Sequence, residues 1–197
     1  MEHTPVLIVG AGPYGLSLAN YLTEQGQEFK IIGKPMELWR EHTFSDAYLR
    51  SDMATSEISH PDNKFSLETF RTKAGIKSES ASERVSVKEY RRYIDWVLGS
   101  ISYTVQQEYL SELTKEKDHF IAELESGTQI RAKQVVIATG VAHHLKVPEA
   151  FSDARDVIHS YFTREIEALR GKKVLVVGAG QSAAEAMEIC QLNDNQV

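Results

Sequence analysis

Two glycine clusters carry the chemistry this sequence could perform. Gly10, Gly12 and Gly15 stand in the spacing G-x-G-x-x-G, and Gly178, Gly180 and Ala183 repeat it with alanine in the last place. Each position has a separate job. The first glycine permits a tight turn out of a strand, and the second lets a pyrophosphate approach the backbone. The third lets helix and strand pack closely, a place where alanine also serves. A helix that starts at such a turn offers unpaired N–H groups and the positive end of its dipole to phosphate. The candidate contacts are therefore Gly10, Gly12, Pro13, Tyr14 and Gly15 at the first turn, and Gly178, Gly180, Gln181 and Ser182 at the second. Taken alone, each cluster also has a purely structural reading, because any tight strand-to-helix turn favours glycine. Neither is followed by G-K-[ST], which argues against a kinase or ATPase. A methyltransferase could use the first turn but would leave the second unexplained. Together, two such turns could seat two dinucleotides between which a hydride passes.

The elements around them fit that use. Residues 5–9 form a short apolar run, as expected of a parallel strand covered on both faces. Leu18, Ala19 and Leu22 then recur at helical spacing, Gly26 stands where a helix would end, and residues 29–32 read as a second strand. From 43 to 85 the chain is rich in Ser, Thr, Asp and Asn, and 78–86 is polar almost throughout. So long a weakly patterned stretch reads as a functional loop region or as partly disordered. Ser86-x-x-Glu89 has the form of a capping box, ahead of an apolar stripe at Val87, Tyr90, Ile94, Val97 and Leu98. Residues 120–124 and 128–131 flank a Ser126-Gly127 turn as a hairpin. Residues 134–138 read as another buried strand ending at Thr139-Gly140. A connector with Pro148 follows, then a strand over 172–177 leading into the second glycine turn and an Ala-rich helix. The expected division is a first domain over 1–140, a connector over 141–171, and the start of a second, incomplete domain over 172–197.

Composition narrows the class. The chain has 197 residues, 42% hydrophobic and 25% charged, an ordinary globular balance. The net charge of −6 argues against a general nucleic-acid binder. No apolar stretch is long enough to span a bilayer, and the N-terminus lacks a secretory pattern, so a cytoplasmic location is expected. One cysteine, Cys190, excludes an intramolecular disulfide, a CxxC redox pair and a cysteine-rich zinc site.

The ordered set Val9-Gly10-Ala11-Gly12-Pro13-Tyr14-Gly15, Trp39, Val136-Ile137-Ala138-Thr139-Gly140 and Gly178-Ala179-Gly180-Gln181-Ser182-Ala183 resembles the FAD- and NAD(P)H-dependent flavoprotein monooxygenases, including the flavin-containing and amine N-hydroxylating branches. The resemblance covers nearly the whole chain. It implies an α/β, Rossmann-like FAD-binding domain with an inserted β-hairpin, followed by an NAD(P)-binding domain. The first turn would hold the FAD pyrophosphate, and the second that of NADPH or NADH. Thr139 and Gly140 would lie where the chain crosses between the domains. NAD(P)H would reduce the flavin, and dioxygen would supply one oxygen atom to a small nucleophilic substrate. The cofactor carries the hard step, so no catalytic acid or base is assigned.

The sequence departs from that pattern in three places. The acidic residue expected about 20 positions beyond the first turn, where it would hold a ribose, is replaced by Ile32-Gly33-Lys34, with no carboxylate before Glu37. Either Lys34 or backbone groups around Gly33 substitute, or the FAD site is weak. Phe151, His159 and Ser160 match the family's Phe-x-Gly-x-x-x-His signature only loosely, with Asp153 in the glycine place. Only 19 residues (197 − 178) follow Gly178, fewer than the roughly 30 of one βαβ unit. The chain therefore reads as the N-terminal portion of a longer protein or as a truncated gene product, with apolar surface that favours self-association.

Other residues have two readings each. Trp39 and Arg40 either lie against the flavin or are a packed Trp and a solvated Arg. His42, Arg50, Asp52 and His60 either contact flavin or substrate or are surface residues. His143-His144 reads as a loop pair without metal, Arg91-Arg92 as a solvated helix face, and Cys190 as a small buried hydrophobe. Two rivals to the oxygenating reading stay open. One is a flavin-dependent NAD(P)H:acceptor reductase, and the other a dinucleotide-binding remnant without turnover.

Overall fold

The computed structural model describes residues 1–77 and 84–197. Strand β1 (Glu2–Val9) leads into α1 (Pro13–Glu24) and β2 (Lys30–Ile32), so the first glycine cluster does join a strand to a helix. Next come α2 (Glu37–Glu41), α3 (Met53–Ser56), α4 (Leu67–Ala74), α5 (Val87–Leu98) and β3 (Val105–Gln106). Strands β4 (Leu110–Lys115), β5 (Phe120–Leu124) and β6 (Gln129–Ile137) follow. A 3₁₀ turn at Glu149–Phe151 and helices α6 (Thr163–Ala168) and α7 (Gln181–Leu192) complete the chain.

The six strands form one sheet in the order β3-β2-β1-β6-β5-β4. β1 runs parallel to both β2 and β6, whereas β6, β5 and β4 form an antiparallel meander. The chain leaves β1 towards β2 on one side and returns to β6 on the other. The carboxyl end of β1 is therefore a topological switch point, the place where open α/β sheets bind ligands. Burial on both faces explains why 5–9 is uniformly apolar. Ile8 and Ile31 enter a core with α1 and α5, including Leu16, Ala19, Tyr90, Ile94 and Val97. Leu7, Val9 and Ile32 point the other way, into a second core with Ala122, Leu124, Ile130 and Ala132 of the meander. This is the expected Rossmann-like fold with an antiparallel insertion.

Four expectations need correction. The polar stretch 43–85 is neither a bare loop nor disordered where described: it holds α3 and α4, and buries Phe44, Leu49, Ile58, Phe65, Leu67, Phe70 and Val85. These apolar residues are too irregularly spaced to show a period, yet each fills the core. Of the tract 78–86, residues 78–83 lie outside the described residues. The hairpin strand 128–131 and the strand 134–138 are one continuous strand, β6, and its last part is not buried. Val136 and Ile137 are 37% and 58% exposed, because β5 stops opposite Gln129–Ala132 and leaves β6 with a neighbour on one side only.

The strand expected over 172–177 does not form a ladder. Its pairing is an isolated parallel bridge between Lys173 and Gln196, and Leu175 is 86% exposed. Extended backbone becomes a strand only when a neighbour runs beside it, and here the neighbour is the short stretch around Gln196. Arg91, finally, is not a solvated residue. It donates to the carbonyls of Trp39 (3.0 Å) and Thr43 (2.7 Å) and to Ser45 Oγ (3.3 Å), tying α5 to the chain after α2.

The start of α5 follows the capping-box reading in part. The Ser86 hydroxyl accepts from the Glu89 N–H at 3.1 Å. The Glu89 side chain turns instead to Arg71, which it meets at 2.6 and 3.1 Å. A third apolar cluster unites Phe44, Ala47 and Val87 with Ile166, Ala186, Ile189 and Cys190, so α6 and α7 dock on the first part of the chain.

Candidate dinucleotide-binding site

The three glycines of the first turn occupy three different environments. Gly10 has φ +113°, and a Cβ there would lie 2.3 Å from the Ala138 carbonyl oxygen. Its N–H donates to Ile32 O at 2.9 Å, and Ala138 N–H donates to Val9 O at 2.7 Å, which clamps the turn between β2 and the end of β6. A Cβ at Gly15 would stand 1.9 Å from Gly10 O and 3.5 Å from Ile8 Cγ2, so only glycine lets α1 press on β1. Gly12 is the exception: a Cβ there would meet nothing within 4 Å, and its backbone (φ −78°, ψ −171°) suits any residue. Among the described residues no contact, and no backbone dihedral, requires glycine at position 12. The space above it is a cradle that a side chain would fill.

Gly12 is also the N-cap of α1, with Pro13 opening the helix and no side chain capping it. The first N–H groups of a helix have no partner within it, so an uncapped start at a switch point is suited to an anion. Tyr14 is 85% exposed on this first turn of helix. Thr139 and Gly140 follow β6 and are both exposed, Gly140 with φ +64°. Across the turn, Gly33 (φ +122°) packs so closely that a Cβ would lie 3.1 Å from Ala11 N. Met36, at φ 54°, donates its N–H to Ala11 O at 2.9 Å.

The second turn repeats the backbone of the first. Gly180 is the uncapped N-cap of α7 at φ −91°, ψ −176°, with nothing within 4 Å of its Cβ position. Gly178 has φ +140°, and a Cβ there would be 3.6 Å from that of Ala183. Gln181 and Ser182 are exposed, and Gln181 donates to Glu185 at 2.7 Å.

Around the end of β2 lies a cluster whose partnerships the sequence pattern did not show. Lys34 Nζ donates to Glu37 Oε1 at 3.2 Å and sits 5.1 Å over the Tyr109 ring, while the Tyr109 hydroxyl donates to Glu37 Oε2. Burial works against the Glu37 charge, but the bonds from Tyr109 and Lys34 outweigh it and hold the carboxyl below its usual range. The Lys34 ammonium is correspondingly raised, chiefly by its bond to Glu37. Burial and the bond to Glu37 push Tyr109 up to about 12. His42 stacks on Tyr161 (centroids 3.6 Å apart) and lies 4.0 Å from Glu37. Glu37 was legible only as the first acid after the vacant position, and Tyr109 by no sequence signal.

The remaining candidates fall elsewhere. Trp39 is half-buried, edge-on to Tyr90 at 5.1 Å, and Arg40 pairs with Asp95 at 3.0 Å. His60 is not a surface residue: it is 4% exposed, with Nε2 3.1 Å from Glu24 and Nδ1 accepting from Asp62 N–H. Arg50 is exposed, and Asp52 stands at the start of the short α3, where its backbone carbonyl, not its carboxylate, accepts from the Thr55 and Ser56 hydroxyls. His143 and His144 are exposed, with the His143 ring 5.3 Å from Tyr109. His159 Nδ1 accepts from Tyr161 N–H at 3.1 Å, and Phe151 closes the 3₁₀ turn. Cys190 is fully buried, as expected, and burial raises its thiol.

Residues 7–197 match the family described as pyridine nucleotide-disulphide oxidoreductase. The chain belongs to this family. It is 29% identical over 182 residues to the uncharacterized oxidoreductase CzcO of Bacillus subtilis, covering 91% of this chain and 49% of that protein. It is 26% identical to the indole-3-pyruvate monooxygenase YUCCA8 of Oryza sativa, over 94% of this chain and 45% of the relative. Among solved structures, the bacillithiol disulfide reductase Bdr of Staphylococcus aureus superposes with a TM-score of 0.75 at 21% identity, covering 99% of this chain and 56% of that one. The last likeness is one of fold. The chain thus spans about half the length of the relatives it matches. No helix among the described residues is long and apolar enough to cross a membrane.

Proposed function

We propose that this chain carries the dinucleotide sites of an FAD-dependent oxidoreductase of monooxygenase type, which uses NAD(P)H and dioxygen to oxygenate a small nucleophilic substrate. The observation that carries this reading is Gly12. It is a glycine that neither a close contact nor its backbone dihedrals require, at an uncapped helix start, at the switch point of the sheet. A dinucleotide pyrophosphate fits that cradle: the α1 N-terminus supplies N–H donors and a favourable dipole, and no Cβ blocks the approach. Gly10 and Gly15 hold the turn's shape against β6 and β1. Tyr14, Thr139 and Gly140 are exposed at the turn and after β6 and are further candidate contacts, whereas Trp39 packs on Tyr90 and Arg40 pairs with Asp95.

FAD, when bound, supplies the redox chemistry. This chain's own residues bind and orient it and assign its charge environment. The second turn, with Gly178, Gly180, Gln181 and Ser182, would take the NAD(P)H pyrophosphate by the same backbone device. The reductase reading shares both cofactors and differs only in the acceptor. Its dithiol form would need a cysteine pair, and these 197 residues supply one cysteine, the buried Cys190.

The test begins with the purified chain, titrated with FAD and followed by visible absorbance and equilibrium dialysis. Bound flavin bands are expected, and a chain that retains neither FAD nor ADP would overturn the assignment. The reaction type is read on the longest form of the protein that holds flavin. Substrate-dependent NAD(P)H oxidation with an oxygenated product supports the monooxygenase. Oxidation that needs only an electron acceptor would replace it with the reductase.

A further inference from the structure

We propose that Glu37 is the carboxylate that holds the adenosine ribose of the dinucleotide at the first turn, with Lys34 and Tyr109 as its positioning residues. The inference rests on the reading of that turn as a dinucleotide site. Sites of this kind place an acid about 20 residues beyond the turn, at the end of the second strand. Here that place is Gly33, and the fold forbids a side chain there. At φ +122° any other residue is strained, and a Cβ would lie 3.1 Å from Ala11 N and 3.3 Å from Gly10 Cα. The carboxylate has to come from elsewhere or be lost.

The backbone brings one back. After Gly33 the chain reverses through Met36 in a left-handed conformation, and Met36 N–H is fastened to Ala11 O inside the glycine turn at 2.9 Å. Glu37 is the next residue, so its backbone is tethered one position from the turn. Its side chain is 15% exposed and held from two directions: Lys34 on one oxygen at 3.2 Å, the Tyr109 hydroxyl on the other. Tyr109 is placed by the segment after β3, whose Gln106 carbonyl accepts from Gly33 N–H at 3.0 Å. Three chain segments thus fix one carboxylate beside the carboxyl ends of β1 and β2.

The chemistry of the cluster selects its ligand. A carboxylate has about four acceptor sites, and Lys34 and Tyr109 each use one, so capacity remains for hydroxyl donors. The charge of Lys34 is already balanced by Glu37. A 2′-phosphate would meet Lys34 already paired with Glu37 and would face that carboxylate, whereas a ribose with free hydroxyls donates to it. The structure therefore favours an adenosine unphosphorylated at the 2′ position.

The test compares ADP with 2′-deoxy-ADP by calorimetry on the full chain. A hydroxyl bonded to a charged acceptor predicts that ADP binds at least about tenfold more tightly. Glu37→Ala should bring the two nucleotides within about twofold, and Glu37→Gln, which keeps the side chain's shape, within about threefold because the bond is no longer charge-assisted. Thermal unfolding of each variant reports whether the fold survives. Gly12→Ala should weaken binding of both nucleotides by at least about tenfold, which assigns the signal to the first turn. If Glu37→Ala weakens both equally and leaves their ratio intact, Glu37 only supports the loop and the inference falls. A wild-type ratio near one also overturns it, while the dinucleotide reading stands. Binding of neither nucleotide to the wild-type chain removes that reading, and the inference with it.

Discussion

Substituting the first-turn glycines one at a time should separate folding from binding, because the structure gives them opposite reasons to be glycine. Gly10→Ala forces a side chain onto φ +113° and puts a methyl 2.3 Å from Ala138 O, a backbone atom held by its own strand. The strained dihedral costs about 1–3 kcal/mol and the overpacking about as much again. A loss of about 2–6 kcal/mol is expected, a large part of the roughly 5–15 kcal/mol that typically holds a domain. For a chain of this size that lowers the midpoint of thermal unfolding by about 4–24 °C. Gly12→Ala meets nothing within 4 Å and keeps an ordinary backbone. It should cost no more than about 1 kcal/mol, the preference for glycine over alanine at an N-cap. Yet its methyl enters the cradle and should lower affinity for FAD or ADP by at least about tenfold. Circular dichroism during urea and thermal unfolding reads the first quantity, and calorimetric titration the second. Gly12→Ala that binds like wild type, or Gly10→Ala that unfolds like wild type, would refute the assignment of these roles.

Other consequences are simpler to check. The buried Tyr93 hydroxyl donates to Phe65 O at 2.6 Å and accepts from Ile58 N–H at 2.7 Å, so Tyr93→Phe should cost about 1–3 kcal/mol in urea unfolding. Ser86→Ala removes the cap of α5 and should cost about 1 kcal/mol. Because Glu37 is held below the pKa it has unfolded, its contribution is fully present above about pH 5. That contribution is lost as acid protonates the folded state. Glu37→Gln should therefore narrow its gap to wild type as pH falls below the ordinary carboxylate range. Cys190 has no exposed surface and a raised thiol, so an aromatic disulfide reagent should label it only on unfolding. Ile137, Leu175 and Val177 are 58%, 86% and 64% exposed, and sedimentation of this 197-residue chain should show self-association that grows with concentration.

What the sequence disclosed follows from how locally each feature is determined. The run at 5–9 and the glycine spacing describe a strand, a turn and a helix that nearest neighbours dictate, and the fold reproduces them. The hairpin at 120–131 is equally local, since Gly127 at φ +82° closes it. The stretch 43–85 was opaque because its buried residues, from Phe44 to Val85, are recruited singly by distant partners and leave no period. The meander strand β4 escaped for the same reason: its six residues alternate only weakly, with Leu110 and Leu113 half-buried and the rest largely exposed. The vacant acid position at Gly33 was legible, but its consequence was not. Only three-dimensional contact shows that Tyr109, more than seventy positions away, holds Glu37.

The two glycine turns also show what a turn needs beyond its own backbone. Gly12 and Gly180 have nearly the same dihedrals, and both helices start uncapped. The first turn is braced on three sides: Ile32 O on the Gly10 N–H, the end of β6 against Gly10, and Met36 N–H on Ala11 O. The second follows backbone that is secured several residues upstream, where Lys172 and Val174 bond to Gln196 near the other end of α7. Binding energy spent ordering a loose turn is lost to affinity. The first site should therefore bind its dinucleotide more tightly than the second in this chain. Titration with FAD and with NADPH measures both, and tighter binding of NADPH would show that bracing by the sheet does not set the order.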